Sequence, residues 1–281
     1  MAANPAVSTA PGALDVTHSA SKAALRRLLG LLADPLLAWI VPAVLLAVWF
    51  VAARLEWIPQ QVLPAPEAVA GMLAELYRSG ELWANLQISA MRVAAGFALG
   101  LAGGLALGAA MGLSPRVRDY VYPTFKAFSQ VPVLGWLPLL MLLVGIDEAL
   151  KIILIAKAAL VPIALNTYKG IHNVPARYLE VARVMKLTAW QTLARVVFPA
   201  AAAPVWNGIR YGLTHAWLAL VVVELLASSE GLGYLIVYGR QLFQLDLVIA
   251  AVIVVGAVGF LLDKGLALAE RAVLRWRKPG F

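Results

Sequence analysis

The sequence contains no cysteine and only three histidines among its 281 residues. The first absence excludes disulfides, thiolate metal sites and cysteine nucleophiles. The second, with no H-E-x-x-H or similar spacing, leaves no histidine-based metal site to assign. Charge is also scarce: 14% of the residues are Asp, Glu, Lys or Arg, against 62% hydrophobic. A soluble domain could not cover its surface with so few polar groups, so apolar side chains must face lipid as well as a core. The phosphate-cradling pattern G-x-x-x-x-G-K-S/T is missing, which removes the usual means of holding ATP. A formal charge of +8 does not point to nucleic acid, because the basic residues lie between apolar runs rather than on one face with interleaved aromatics. No nucleophile, base and orienting group fall at a common depth in those runs, so no enzyme is expected.

What is present is a series of apolar runs: Leu36 to Ala53, Val93 to Leu113, Ala127 to Ile146, Leu150 to Tyr168, Tyr211 to Ser229 and Leu247 to Leu262. Their lengths predict six transmembrane helices of an all-α membrane protein. The segment before the first run is too long, and the run itself too extended, for a cleaved signal peptide, so it is taken as a retained anchor. With the amino terminus placed inside, 17 of the 23 Lys and Arg residues fall in inner segments, which puts both termini in the cytoplasm. The expected organisation is a disordered cytoplasmic tail over 1–34, a first transmembrane anchor over 35–62, a periplasmic surface helix within 63–83, a transmembrane domain over 84–268 and a basic cytoplasmic tail over 269–281.

Within the surface segment, Leu63-Pro64-Ala65-Pro66 breaks the chain before a helix from Glu67 to Arg78, whose Ala68, Val69, Met72, Leu73 and Leu76 share one face. The second apolar run carries Gly96, Gly100, Gly104, Gly108 and Gly112. Such a side-chain-free stripe serves tight packing, the commoner case in membrane bundles, or a sliding surface in a moving transporter.

The inner segment from Lys169 to Arg210 holds P-A-R-Y-L-E-V-A-R-V-M-K-L between Pro175 and Leu187. It reads as a helix with proline near its first turn. Arg177, Glu180, Arg183 and Lys186, three residues apart, form one stripe on which the charges can pair. Leu179, Val181, Ala182, Val184 and Met185 make an apolar remainder too broad for water, so it must dock on a partner or on the membrane core.

This segment resembles the EAA loop of ABC importer permeases: Glu-Ala-Ala, three residues, Gly, nine residues, then Ile-x-Leu-Pro. The chain supplies Glu180-Val181-Ala182, Lys186 at the glycine position and, nine residues on, Val196-Val197-Phe198-Pro199. Val181 and Lys186 are the departures, and lysine in place of glycine predicts an altered turn and a helix that runs further. Leu63-Pro64-Ala65-Pro66-Glu67, Gly145-Ile146-Asp147-Glu148, Asn166-Thr167, Trp217-Leu218 followed by Glu224, and Gly231-Leu232-Gly233-Tyr234 look like the branch serving alkanesulfonates, taurine, nitrate and related small anions. The resemblance implies a type I ABC importer transmembrane domain over 84–268. It also implies a second permease subunit, expected to be an identical chain, a periplasmic substrate-binding protein, and two ATPase subunits that bind ATP and Mg. No cofactor is expected in this chain. Arg177, Glu180, Val181, Ala182, Arg183 and Lys186 would form the coupling contact with the ATPase.

Candidates for the translocation path are Gln130, Lys157, His215, Trp217 and Glu224. Lys157 falls near the middle of a predicted span, where a cation costs about 2.5–3.5 kcal/mol to insert. It either holds an anionic substrate, or pairs with Glu224 or extends to the outer interface. The rival function is an ion-coupled secondary transporter using Lys157, His215 and Glu224. That class calls for internal repeats with broken helices, and none is apparent in the sequence.

Overall fold

The computed structural model describes residues 40–59 and 62–275. The tail expected over 1–34, residues 36–39 of the first apolar run and residues 276–281 of the basic tail lie outside the described residues. The chain divides into two units, Met1–Pro66 and Glu67–Phe281. In the first, helix α1 (Ile40–Arg54) is apolar but shorter than a full span, and the Trp49 indole donates to the Pro64 carbonyl at 3.1 Å.

The second unit is helical throughout its described regular structure. Helix α2 (Pro66–Ser79) opens on a proline, where the missing N–H leaves no bond unmade, and buries Val69 and Leu76. Met72 and Leu73 are half-buried on the same side, whereas Ala68, expected with them, is exposed. Gly80, at φ 79°, makes the left-handed turn into α3 (Glu81–Leu113). This helix starts well before Val93, because Glu81 and Arg92 interrupt hydropathy without interrupting the backbone.

The run expected as one span from Ala127 to Ile146 is broken. Helix α4 (Pro115–Gln130) ends at Val131, a turn of 3₁₀ helix follows at Val133–Trp136, and α5 (Leu137–Val144) leaves in a new direction. The two pieces meet at 92°. Pro132 has no N–H to continue the ladder, and the preceding Val131 takes the extended conformation (φ −75°, ψ 117°) that a following proline favours. Of the internal repeats with broken helices that were not apparent in the sequence, the structure supplies one broken helix.

Helix α6 (Glu148–His172) is the axis of the unit, with Leu150, Leu154, Ile155, Ala159, Ile163 and Ala164 fully buried. Helix α3 lies along one side of it through the glycine stripe. A Cβ added at Gly100 would sit 2.5 Å from the Ala156 carbonyl oxygen, and one at Gly108 2.5 Å from that of Ala164. The stripe is therefore a packing surface, which substitutes close van der Waals contact for the hydrophobic drive that helices lack inside lipid. On the other side α9 (Phe198–Ala227) approaches through Gly208 and Gly212, against Asn166 and Ile163.

Between α6 and α9 lie α7 (Ala176–Val184), α8 (Ala189–Thr192) and a π-helical turn at Leu193–Val197. The loop expected from Lys169 to Arg210 is thus mostly helix. Pro199 cannot bond the Arg195 carbonyl, and the wider π turn accommodates that loss without ending the helix. Helices α10 (Leu232–Gln241) and α11 (Leu245–Val273) complete the unit. Helix α11 meets α9 where Arg210 donates twice to Asp263 at 2.9 Å and where the Trp217 indole lies over Gly259. By length and composition, Glu81–Leu113, the helical stretch Ala189–Gln241 and Leu245–Val273 can each cross a membrane, with a fourth crossing if the bent α4–α5 pair counts as one.

Candidate functional site

Three places in the second unit bring charged side chains into defined geometry. The first is the turn after α7. The helix stops at Val184, against the expectation that it would run on through Lys186. The Leu187 N–H donates to Ala182 O at 3.0 Å and the Lys186 N–H to Arg183 O at 2.9 Å, the paired bonds that close a helix when the residue past the cap is left-handed. Lys186 is that residue, with φ 51°, so the lysine makes the turn that a glycine would make. Thr188 then starts α8 with a capping box shared with Gln191. On this surface Arg177, Glu180 and Arg183 are exposed, Ala182 is buried, and Val181 is exposed. Glu180 has no hydrogen bond or ion pair among the described residues, so the pairing along the stripe does not form. Val184 is 83% exposed and Trp190 71%, with Met185 and Tyr178 open beside them.

The second place is a cleft of about 420 Å³ where the broken end of α4 meets α6 and α9. Lys157 and His215 both line it, together with Lys169 and Ser129. Lys157 is 8% exposed. Its ammonium donates to the Val131 carbonyl at 2.9 Å and lies 4.9 Å from the Phe128 ring centroid and 5.4 Å from that of Trp136. It makes no contact with Glu224, which corrects the pairing considered from sequence. The His215 Nδ1 lies 2.8 Å from the Tyr211 carbonyl oxygen. Gln130 is exposed at the end of α4 and does not line the cleft. Trp217 is buried in the core and borders a separate cavity of about 170 Å³ beside α11.

The third place is a polar clasp at the Glu148 end of α6, and it holds Glu224. Arg92, 3% exposed, donates through Nη1 to Glu224 Oε1 at 2.8 Å and through Nε and Nη2 to the two Glu148 oxygens at 2.7 and 2.6 Å. Lys151 adds a further bond to Glu148. Glu224, 1% exposed, also accepts from Ser89 Oγ and from the Gly233 N–H. Three of the first amides of α10, which no intrahelical partner can satisfy, are used: Gly231 N–H donates to Asn85, Leu232 N–H to Ser89 and Gly233 N–H to Glu224. Gly231 is at φ 106°, and a Cβ there would collide with the Glu224 carboxylate. That accounts for glycine in the Gly231-Leu232-Gly233-Tyr234 segment.

Residues 100–275 match the family model described as the inner-membrane component of binding-protein-dependent transport systems. The chain belongs to this family. The permease is 42% identical over 238 residues to a protein of Bacillus subtilis named as the aliphatic sulfonates transport permease SsuC, covering 85% of this chain and 86% of that one. It is 40% identical to the protein of the same name in Escherichia coli, covering 85% and 90% of the two chains. To the Escherichia coli taurine transport system permease TauC it is 33% identical, covering 83% and 87%. It is thus an ABC importer permease of the alkanesulfonate and taurine branch, a transport subunit and not an enzyme.

Hydropathy does not reveal the clasp of the permease, because Arg92 immediately precedes the apolar run that starts at Val93 and reads as a charge at its edge. One signal was available. Asn85, Ser89 and Arg92 continue the glycine stripe at helical spacing toward the start of α3, so the face that packs on α6 also carries its polar end.

Proposed function

We propose that the permease forms the translocation path of an ATP-driven importer for a small organic anion, an alkanesulfonate or a close relative, delivered by a periplasmic binding protein. In this reading six helices span the bacterial inner membrane, both termini and the α7–α8 segment face the cytoplasm, and two identical permeases associate. Two ATPase subunits, which bind ATP and Mg, dock on α7. The carrying observation is the surface around Lys186. Tyr178, Val181, Val184, Met185 and Trp190 form an exposed apolar area flanked by Arg177, Glu180 and Arg183, none of which makes an ion pair among the described residues. An open patch of this kind, beside exposed charges of both signs, suits a protein interface. The names of the relatives support the substrate class, and Lys157 and His215 are the two path candidates that share a cleft. The 92° break in the α4–α5 run would also suit an ion-coupled transporter, but membership of a family named for its dependence on binding proteins favours the importer.

Reversing the charge at Glu180 tests the docking. Glu180→Lys should leave the permease in the membrane, because loss of a solvated helix charge costs only a few tenths of a kcal/mol. At an interface the same change places a charge against its own sign, so co-purification with the ATPase and uptake should both fall by about tenfold or more. Wild-type uptake by this variant would remove Glu180 from the contact.

A further inference from the structure

We propose that the permease itself carries an anion-binding site, centred on Lys157, for a small oxyanion with a short aliphatic tail. The proposal rests on the importer reading above and deepens it by locating where this chain recognises the anion after delivery.

Three cations are buried among the described residues, Arg92, Lys151 and Lys157, and Lys151 is bonded to the Glu148 carboxylate. Arg92 spends its donors on two carboxylates, a hydroxyl and a carbonyl. Lys157 is almost as deeply buried and has three donors, yet among the described residues it makes one hydrogen bond, to a neutral carbonyl. The rings of Phe128 and Trp136 offer it partial compensation. A buried charge without a counter-ion is costly, and an arriving anion supplies what the protein withholds. The indole N–H of Trp136, whose ring lies beside that ammonium, is buried and has no acceptor among the described residues, although Trp136 is not part of the cleft lining.

The cleft in front of Lys157 fits such a ligand. Its volume of about 420 Å³ falls in the range of roughly 300–1,000 Å³ usual for small-molecule sites. Lys169 and His215 share the wall and no Asp or Glu does, so the lining favours a negative ligand over a positive one. Val133, Val161 and Leu165 give the wall an apolar part, as a short alkyl tail requires, and Ser129 and Asn166 add neutral polar groups. The ammonium already rests on Val131, beside the break at Pro132, so an anion that draws it away also removes a tie across the bend.

The test uses the transporter assembled with its ATPase in lipid nanodiscs, without binding protein, and equilibrium dialysis of radiolabelled ethanesulfonate at fixed ionic strength. Saturable binding is expected. Ethanesulfonamide, of similar shape but neutral, should compete about tenfold more weakly or worse, the loss that follows from one charge-assisted bond. Lys157→Gln should abolish saturable binding and Lys157→Arg should retain it. No saturable binding by the wild type, or undiminished affinity in an assembled Lys157→Gln, overturns the site. If Lys157→Gln does not assemble, the wild-type competition decides: equal competition by the neutral compound overturns the site, and weaker competition supports it. Stimulation of the ATPase by loaded binding protein, measured on the same preparations, tests the importer reading separately. Its absence in the wild type sinks that reading whatever the dialysis shows. Its persistence in a Lys157→Gln that has lost anion binding supports the site.

Discussion

At the Glu148 end of α6, Arg92, Glu148, Lys151 and Glu224 all find partners inside the chain, whereas at the His172 end Glu180 finds none among the described residues. The first end joins α3, α6, α9 and the start of α10 through side chains that saturate one another. The second presents apolar residues and charges together on its surface. A saturated buried network confers geometry and leaves nothing for a ligand, while an unsaturated surface is costly alone and useful in an assembly. Lys157 lies between the two on α6, buried like the first and under-satisfied like the second.

Breaking the clasp should give the largest effect. Arg92→Met leaves the Glu224 carboxylate buried without its cation, and loss of one partner from a buried pair costs about 3–5 kcal/mol. Thermal unfolding of the detergent-purified permease should show a large drop. Adding Glu224→Gln to Arg92→Met should recover part of it, because the orphaned charge is removed. Glu148→Gln should cost much less than Glu224→Gln, since the Glu148 side chain is 56% exposed and water can replace its partner. An Arg92→Met protein that melts like the wild type would mean that the clasp does not hold the bundle.

The middle-sized effect sharpens the boundary between the two ends. Gly108 packs against Ala164 and Thr167 in the half of α6 nearer the open end. If openness there is confined to α7 and α8, the packing beneath must be as tight as elsewhere. Gly108→Ala would drive a methyl group into the Ala164 carbonyl and should cost about 1–3 kcal/mol. Gly256→Ala, on α11 with nothing within 4 Å of the added carbon, should cost nothing. Equal melting temperatures for the two variants would show that the glycine stripe yields easily.

How much of this was legible beforehand depended on which signal each element used. Helix α2 and the start of α7 follow apolar spacing and proline placement, which sequence displays directly, and both lie within a residue or two of expectation. The bend at Val131-Pro132 was not legible from hydropathy, because an apolar run looks the same whether or not its backbone is continuous; Pro132, Gly135 and Pro138 were the signs to weigh. Helix α9 was begun too late because Arg195 and Arg210 were treated as loop charges, although Arg210 is paired with Asp263 on α11. Lys157 stands out in the sequence as a cation within an apolar run, but its neighbours, Val131 at the break and the rings of Phe128 and Trp136, are brought to it only by the bend at Pro132. Trp217 and Glu224 were grouped with it only through their position in apolar runs, and tertiary packing sends them elsewhere.

The smallest predicted effect lies at the open end and concerns the turn rather than the docking surface. Lys186 is held at φ 51°, a conformation that costs a residue with a Cβ roughly 1–2 kcal/mol. Glycine is free of that cost, but it also gives the unfolded chain more freedom, which offsets part of the gain. Lys186→Gly should therefore stabilise the turn by about 1 kcal/mol. The gain is local, so the amide of Leu187, which bonds Ala182 across the turn, is the place to measure it. Its hydrogen exchange should slow by about fivefold, with the melting temperature nearly unchanged. Lys186→Val should reverse the sign, because a β-branched side chain tolerates the left-handed region least. If exchange at Leu187 is the same in all three proteins, the turn opens by some other route and the strain at Lys186 does not limit it. Should Lys186→Gly slow exchange while ATPase stimulation stays at its wild-type level, Lys186 serves the shape of the coupling loop, and the contact itself belongs to Glu180 and the apolar residues around it.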